Sequence, residues 1–171
     1  MSSESTDKSS DDVSVKSNFF FVAEELDEFS IGFPPNGGNV WGRRLNFRCY
    51  RGWLPTPLDT GYSKGTRFNY VEKESAVYKF TYILDCKIVY PTGTRSNMLF
   101  VYLFKNNVQV RLDSHQIFYT SSSNPTQVVG EITLTMNEAD AFDMRLTQKT
   151  MINDIRIAGV SGMNQLSADR I

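Results

Sequence analysis

Between residues 76 and 84 the chain reads AVYKFTYIL, with a large apolar side chain at every second position. Alternate residues of an extended strand share a face, so Tyr78, Phe80, Tyr82 and Leu84 form one apolar face, and Val77, Lys79, Thr81 and Ile83 form the other. A second sheet has to cover the first of these. The same alternation returns downstream. Ile132, Leu134 and Met136 oppose Glu131, Thr133 and Thr135, while Phe142, Met144 and Leu146 oppose Asp143, Arg145 and Thr147, which predicts two strands with one wet face each. The run MLFVYLF at 98–104 is apolar on both faces. It predicts either a central strand or one whose outer face meets another subunit.

Extending this reading along the chain gives candidate strands at 44–50, 67–71, 76–84, 86–90, 98–104, 107–112, 115–120, 127–136, 141–147 and 152–160. Short turns separate them, among them Asn106-Asn107 and Asn137 to Asp140. No helical period is present. Many short strands at near-regular spacing predict an all-β fold, an antiparallel two-sheet sandwich.

Composition sets the limits of that fold. A chain of 171 residues with 40% hydrophobic and 13% aromatic residues is the size of one domain and can bury a core without staples. Residues 1–39 read as an N-terminal extended arm, the first 17 of them Ser-, Thr- and Asp-rich with little to bury. Residues 40–162 read as the folded domain and 163–171 as a C-terminal tail. Residues 1–30 carry a net charge of −6, and the remaining 141 carry +5. The acidic arm is therefore expected on its own basic body or on a neighbour's. Within the arm, Phe19, Phe20 and Phe21 form an apolar plug suited to a pocket on a partner or under the domain itself. PPNGGN at 34–39 stops any regular element before the domain begins.

The start of the chain lacks the basic and apolar regions of a signal peptide, and no apolar run reaches the roughly 18 residues of a membrane helix. Cys49 and Cys86 are too few for a disulfide framework, leaving two buried thiols or a single bridge as the alternatives.

Four segments in order resemble the jelly roll shared by tumour necrosis factor and the globular heads of complement-type proteins. They are LDTGYSKGTRFNYVEKESAVYKFTY, MLFVYLFKNNVQV, VVGEITLTMNEADAFDMRL and IRIAGVSG, and the resemblance as a whole extends over about 120 residues from Leu45 to Gly162. The resemblance implies a jelly-roll sandwich and says less about function. Where that family tends to have a Gly-Asp turn, this chain has Glu138-Ala139-Asp140. Viral capsid and spike proteins also use single jelly rolls, often with a flexible N-terminal arm, and the outline of this chain is similar to theirs.

Residues that could carry chemistry are few. His115 is the single histidine, and its neighbours Asp113 and Ser114 do not make a local triad, because adjacent strand residues point to opposite faces. One histidine and two distant cysteines do not make a zinc site, and Glu138, Asp140 and Asp143 crowd one hairpin without the calcium-loop order. No catalytic residue, metal or cofactor is expected. The one basic concentration is RRLNFRCYRGW at 43–53, where Arg43, Arg44 and Arg48 interleave with aromatic residues. Such a segment suits pairing with acidic residues of a neighbour, and nucleic-acid binding is the lesser alternative. A packaging arm would be basic, so no direct nucleic-acid contact is expected.

These readings point to a non-enzymatic structural subunit that self-assembles, in particular a viral capsid vertex (penton) or minor capsid protein, made in the host cytoplasm and carried in the virion. The expected partners are copies of itself, pentameric or alternatively trimeric, and other capsid proteins. The expected subunit-interface residues are Phe19, Phe20, Phe21, Arg43, Arg44, Arg48, Phe100, Tyr102 and Phe104. The alternative is a trimeric recognition module of the tumour-necrosis-factor or complement-head type binding a receptor or glycan, and a third reading is a carbohydrate-binding jelly roll with Trp41 or Trp53 as its stacking platform.

Overall fold

The computed structural model describes residues 20–23, 29–30, 45–48, 52–59, 64–121, 125–157 and 164–171. Twelve strands run in chain order, with no helix among the described residues. They are β1 (Phe20–Ala23), β2 (Phe29–Ser30), β3 (Leu45–Arg48), β4 (Trp53–Asp59), β5 (Lys64–Tyr70), β6 (Ala76–Ile88), β7 (Ser96–Lys105), β8 (Val108–Phe118), β9 (Thr126–Met136), β10 (Ala141–Gln148), β11 (Ile155–Ile157) and β12 (Gln165–Arg170). One sheet has the order β4-β5-β10-β7-β8, and the other is organised on β6, which pairs with β9 along one edge and with β12 and then β11 along the other. Every pairing is antiparallel. The all-β, two-sheet sandwich expected from the alternation is the observed fold, in keeping with the jelly roll that the resemblance implies.

Rings fill the space between the sheets. Tyr78, Phe80, Tyr82 and Leu84 all point inward and are buried, as the alternation requires. Phe80 stacks on Phe142 of the opposite sheet with ring centroids 3.9 Å apart, and Trp53 meets Tyr70, Tyr78 and Phe80 at 5.2, 5.1 and 5.7 Å. Each fully buried side chain of this size contributes about 2–3 kcal/mol. Cys86 is a free, buried thiol in the same core, and Cys49 lies outside the described residues.

The strand boundaries differ from the expected ones for physical reasons. Residues 76–90 were expected as two strands and 107–120 as two more, but each region forms one long strand, 76–88 and 108–118. Asp85 interrupts the apolar pattern without ending β6, because its backbone N–H is taken by the Asn164 side chain. The pattern gave no strand at 53–59, where Pro55 and Pro57 argue against one. β4 is the outermost strand of its sheet, a position where the missing N–H of proline is tolerated. Nor did it give one at 165–170, within the segment read as a tail, yet β12 pairs there with β6 and buries Leu166 and Ala168.

Two turns set the register near one end of the sandwich. Asn106 and Asn107 both have positive φ, 52° and 63°, which lets the two-residue β7–β8 hairpin follow the strand twist. Asn106 also donates to Asp140 Oδ1 at 2.8 Å and accepts the Ala141 N–H, which locks this hairpin to the β9–β10 turn. In that second turn Ala139 has φ 70°, a left-handed conformation that costs an alanine about 1 kcal/mol. Tyr70 holds it there by accepting the Ala139 N–H.

Because Ala139 is fixed in the left-handed region, Ala139→Gly should raise stability by about 0.5 kcal/mol in chemical denaturation, the relief exceeding the glycine's entropic cost. A loss of stability would show that the turn is unstrained.

Candidate functional site

The outer face of the five-stranded β4-β5-β10-β7-β8 sheet is where the structure departs most from a plain sandwich. On β10, Asp143, Arg145 and Thr147 were expected to face water, but they are only 1%, 8% and 8% exposed. β10 lies between β5 and β7, so large neighbours flank its outer side chains on both sides. From β7, Phe100, Tyr102 and Phe104 form a half-buried row on this face, with ring centroids 6.5 and 6.3 Å apart. The Arg145 guanidinium stacks over Phe104 at 3.8 Å and donates from Nε to Asp143 Oδ2 at 2.6 Å. Arg145 and Arg67 also both donate to Asn107 Oδ1, at 3.0 and 2.6 Å, so the hairpin turn gathers two arginines. Burial raises the Asp143 pKa, opposed by the charges of Arg145 and Arg67.

Beyond the row lies β8, the last strand of the sheet. Tyr102 sits opposite Leu112, which is 44% exposed, and Phe118 at the end of the strand is 60% exposed. Val108 and Val110 near its bulged start are exposed as well. The result is a polar, charge-paired centre bordered by an aromatic row and an open apolar strand. Surfaces of this make-up mark interaction sites.

The expected interface residues divide accordingly. Phe100, Tyr102 and Phe104 share this face. Phe20 and Phe21 are in β1 and Arg48 is in β3, two strands that pair with Phe20 opposite Arg48 and Phe21 opposite Phe47, so the plug and the basic strand are backbone neighbours within one chain. Phe19, Arg43, Arg44 and Trp41 lie outside the described residues. Trp53 cannot be a stacking platform, because it is 5% exposed and sits among core rings. Arg67, Asn107 and Arg145 were not singled out from the sequence. They are spread over β5, a turn and β10, and only sheet pairing brings them together.

A second cluster lies where the open edges of the two sheets meet. Asp113 and His115, two residues apart on β8, face inward together, and Ser114 points the other way, as the alternation requires. Tyr82 completes the cluster from the opposite sheet. Its hydroxyl lies 2.6 Å from Asp113 Oδ2 and 2.8 Å from His115 Nε2, while Arg111 Nε donates to Asp113 Oδ1 at 2.8 Å. Burial holds the Tyr82 pKa far above its usual value, with the Asp113 hydrogen bond and charge adding to it, so the phenol stays protonated and donates to Asp113. Burial lowers the His115 pKa, against the opposing charge of Asp113. Through these hydrogen bonds the cluster ties the two sheets together. On β9, Gly130 makes room for it, since a Cβ there would lie 2.3 Å from the Tyr82 oxygen. Two of the acidic residues of the β9–β10 hairpin are likewise occupied, Asp140 with Asn106, the Asn137 N–H and Lys105, and Asp143 with Arg145. No group of three metal-ligating side chains occurs among the described residues.

Two outcomes test the tie. Gly130→Ala should destabilise the domain by about 1–3 kcal/mol, because the buried Tyr82 ring cannot yield. With its folded pKa lowered, His115 favours the folded state most fully above its unfolded value, and this contribution is lost as the pH falls through about 6.5 and below. The denaturation midpoint should therefore fall between pH 7.5 and 5.5. Since this is the only histidine, His115→Gln should flatten that slope.

No protein-family model matches this chain, and no curated protein matches it in sequence. Among solved structures, a family 35 carbohydrate binding module from Clostridium thermocellum is similar at 13% identity, covering 88% of this chain and 90% of that one, with a TM-score of 0.36. The CBM22-1 xylan-binding domain of Paenibacillus barcinonensis Xyn10C is similar at 11% identity, covering 88% and 96%, with a TM-score of 0.35. A family 35 carbohydrate binding module from an environmental isolate is similar at 15% identity, covering 82% and 92%, with a TM-score of 0.31. All three are carbohydrate-binding modules, and none is a capsid protein or a tumour necrosis factor relative.

Proposed function

We propose that the chain is a non-enzymatic subunit that works by association, using the outer face of its five-stranded sheet. The observation that supports this is the continuity of that face. A buried Arg145–Asp143 pair is roofed by Phe104, and Tyr102 of the aromatic row lies directly beside exposed Leu112 of β8. A lone soluble domain gains nothing from such an arrangement, whereas a subunit gains a preformed, desolvated contact surface. In the particular form suggested by the sequence, the subunit belongs to a viral shell and the acidic arm ties neighbours together. That form rests on the acidic arm and the sandwich outline.

A second reading has one observation in its favour. Three rings spaced at 6.5 and 6.3 Å beside the fixed donors of Arg67 and Arg145 offer both the stacking surface and the hydrogen bonds a glycan needs.

Tyr102→Arg separates the two, since Tyr102 is half-buried on the surface and its loss should leave the fold intact by circular dichroism. The native mass of the wild-type protein should be a multiple of 19.5 kDa, and the substitution should weaken assembly about 30-fold or more. A wild-type protein that stays monomeric while binding glycans on an array through Tyr102 would replace the first reading with the second.

A further inference from the structure

We propose that two copies of the chain join edge to edge through β8, antiparallel and about a two-fold axis at Leu112. This would extend each five-stranded sheet into a continuous sheet of ten. The inference rests on the reading that the chain works by association, and it names the partner and the register.

β8 is the last strand of its sheet and, among the described residues, pairs only with β7. Its outer edge therefore presents a row of backbone N–H and C=O groups along an 11-residue strand, a template for another strand. β9, the facing edge of the other sheet, is built differently. Its outward positions are Gln127, Val129, Glu131, Thr133 and Thr135, one apolar residue among four polar ones, and Glu131 pairs with Lys79 of its own sheet. Polar and charged positions of this kind discourage pairing. β8 instead exposes Val108, Val110, Leu112 and Phe118.

The charges of β8 select the partner. Residues directly opposite in an antiparallel pair interact, opposite charges favourably and like charges unfavourably. With the axis at Leu112, Leu112 faces its own copy, Val110 faces Ser114, and Arg111 faces Asp113 twice, once on each side of the axis. Moving the axis one residue toward the N-terminus sets Arg111 against Arg111. Moving it one residue toward the C-terminus sets Asp113 against Asp113. Charges that would repel most strands are thus matched by a second copy of this one at a single register, the self-complementarity that a two-fold interface requires. Asp113 is held ready for this role by Tyr82 and by its own Arg111. Tyr102 lies opposite Leu112 within each sheet, so pairing here places the aromatic rows of the two copies on one broad face, on either side of the axis.

Cysteine cross-linking of the full chain tests the register. Leu112→Cys should form a disulfide-linked dimer on mild oxidation, seen on a non-reducing gel. With Cys49 replaced by Ser in every variant, Ser114→Cys and the parent protein should not, since Ser114 faces Val110 and Cys86 is buried. Arg111→Glu, which places Glu opposite Asp113, should raise the dissociation constant of the dimer about tenfold or more in sedimentation velocity. A protein that remains monomeric at all concentrations, or an oligomer in which Leu112→Cys does not cross-link, overturns the proposal. If assembly is lost in Tyr102→Arg while Leu112→Cys fails to cross-link, the face is the interface and the edge is not. If Leu112→Cys cross-links while Tyr102→Arg assembles normally, the edge stands and the outer face is not the contact.

Discussion

The inward face of β6 carries Tyr78, Phe80, Tyr82, Leu84 and Cys86, and it has to be dry along its whole length. No single strand can cover it. Phe142 of β10 stacks on Phe80, Trp53 of β4 closes one end, and Leu99, Val101 and Leu103 of β7 lie in the same core. The five-stranded sheet is assembled around that need. Its central strand, β10, is therefore enclosed on both sides by β5 and β7, and what lies on its outer face is shaped by those neighbours as much as by water.

This accounts for the buried charges. An arginine and an aspartate taken out of water are costly unless each finds its full set of partners. Arg145 finds Asp143, Asn107 and the face of Phe104, and Asp143 adds the attraction of Arg67. An apolar pair of equal volume would serve stability as well or better, so a satisfied ionic centre fits a role in fixing geometry. Here it fixes the side chains from which the Phe100, Tyr102 and Phe104 row is built.

Much of the fold was legible because burial in a sheet has a period of two. Tyr78 through Leu84, Ile132 through Met136 and the inner face of β10 follow it directly. The elements that escaped are those where burial and composition part company. β4 contains two prolines that only an outermost strand tolerates, and β12 is short, with only Leu166 and Ala168 as apolar anchors. The candidate site was legible by halves. Apolar residues on both faces of 98–104 announced the aromatic row. Asp143 and Arg145 read as solvated, because a strand's sequence does not say that its neighbours on the outer face carry rings. Arg67 and Asn107 gave no signal, since what unites them is a side-chain hydrogen bond between a strand and a turn 40 residues apart. The pairing of Asp113 with His115 was hidden differently. Asp113 and His115 share a face only as an i, i+2 pair, and the third member, Tyr82, belongs to the core by its period.

Tyr82 joins the two halves of the molecule's physics. Its ring belongs to the core, its hydroxyl holds Asp113 on the outermost strand of the opposite sheet, and Gly130 exists in the geometry that the ring demands. The packing that dries β6 therefore also sets the position of the charges along β8. An edge strand with mobile charges would repel or accept partners indiscriminately. One whose aspartate is anchored from the core presents a fixed order of Arg111, Leu112 and Asp113, and a fixed order of opposite charges about a central apolar residue is complementary to its own antiparallel copy. In the proposed edge-to-edge dimer, core packing and partner choice would be the same constraint, transmitted through one phenol.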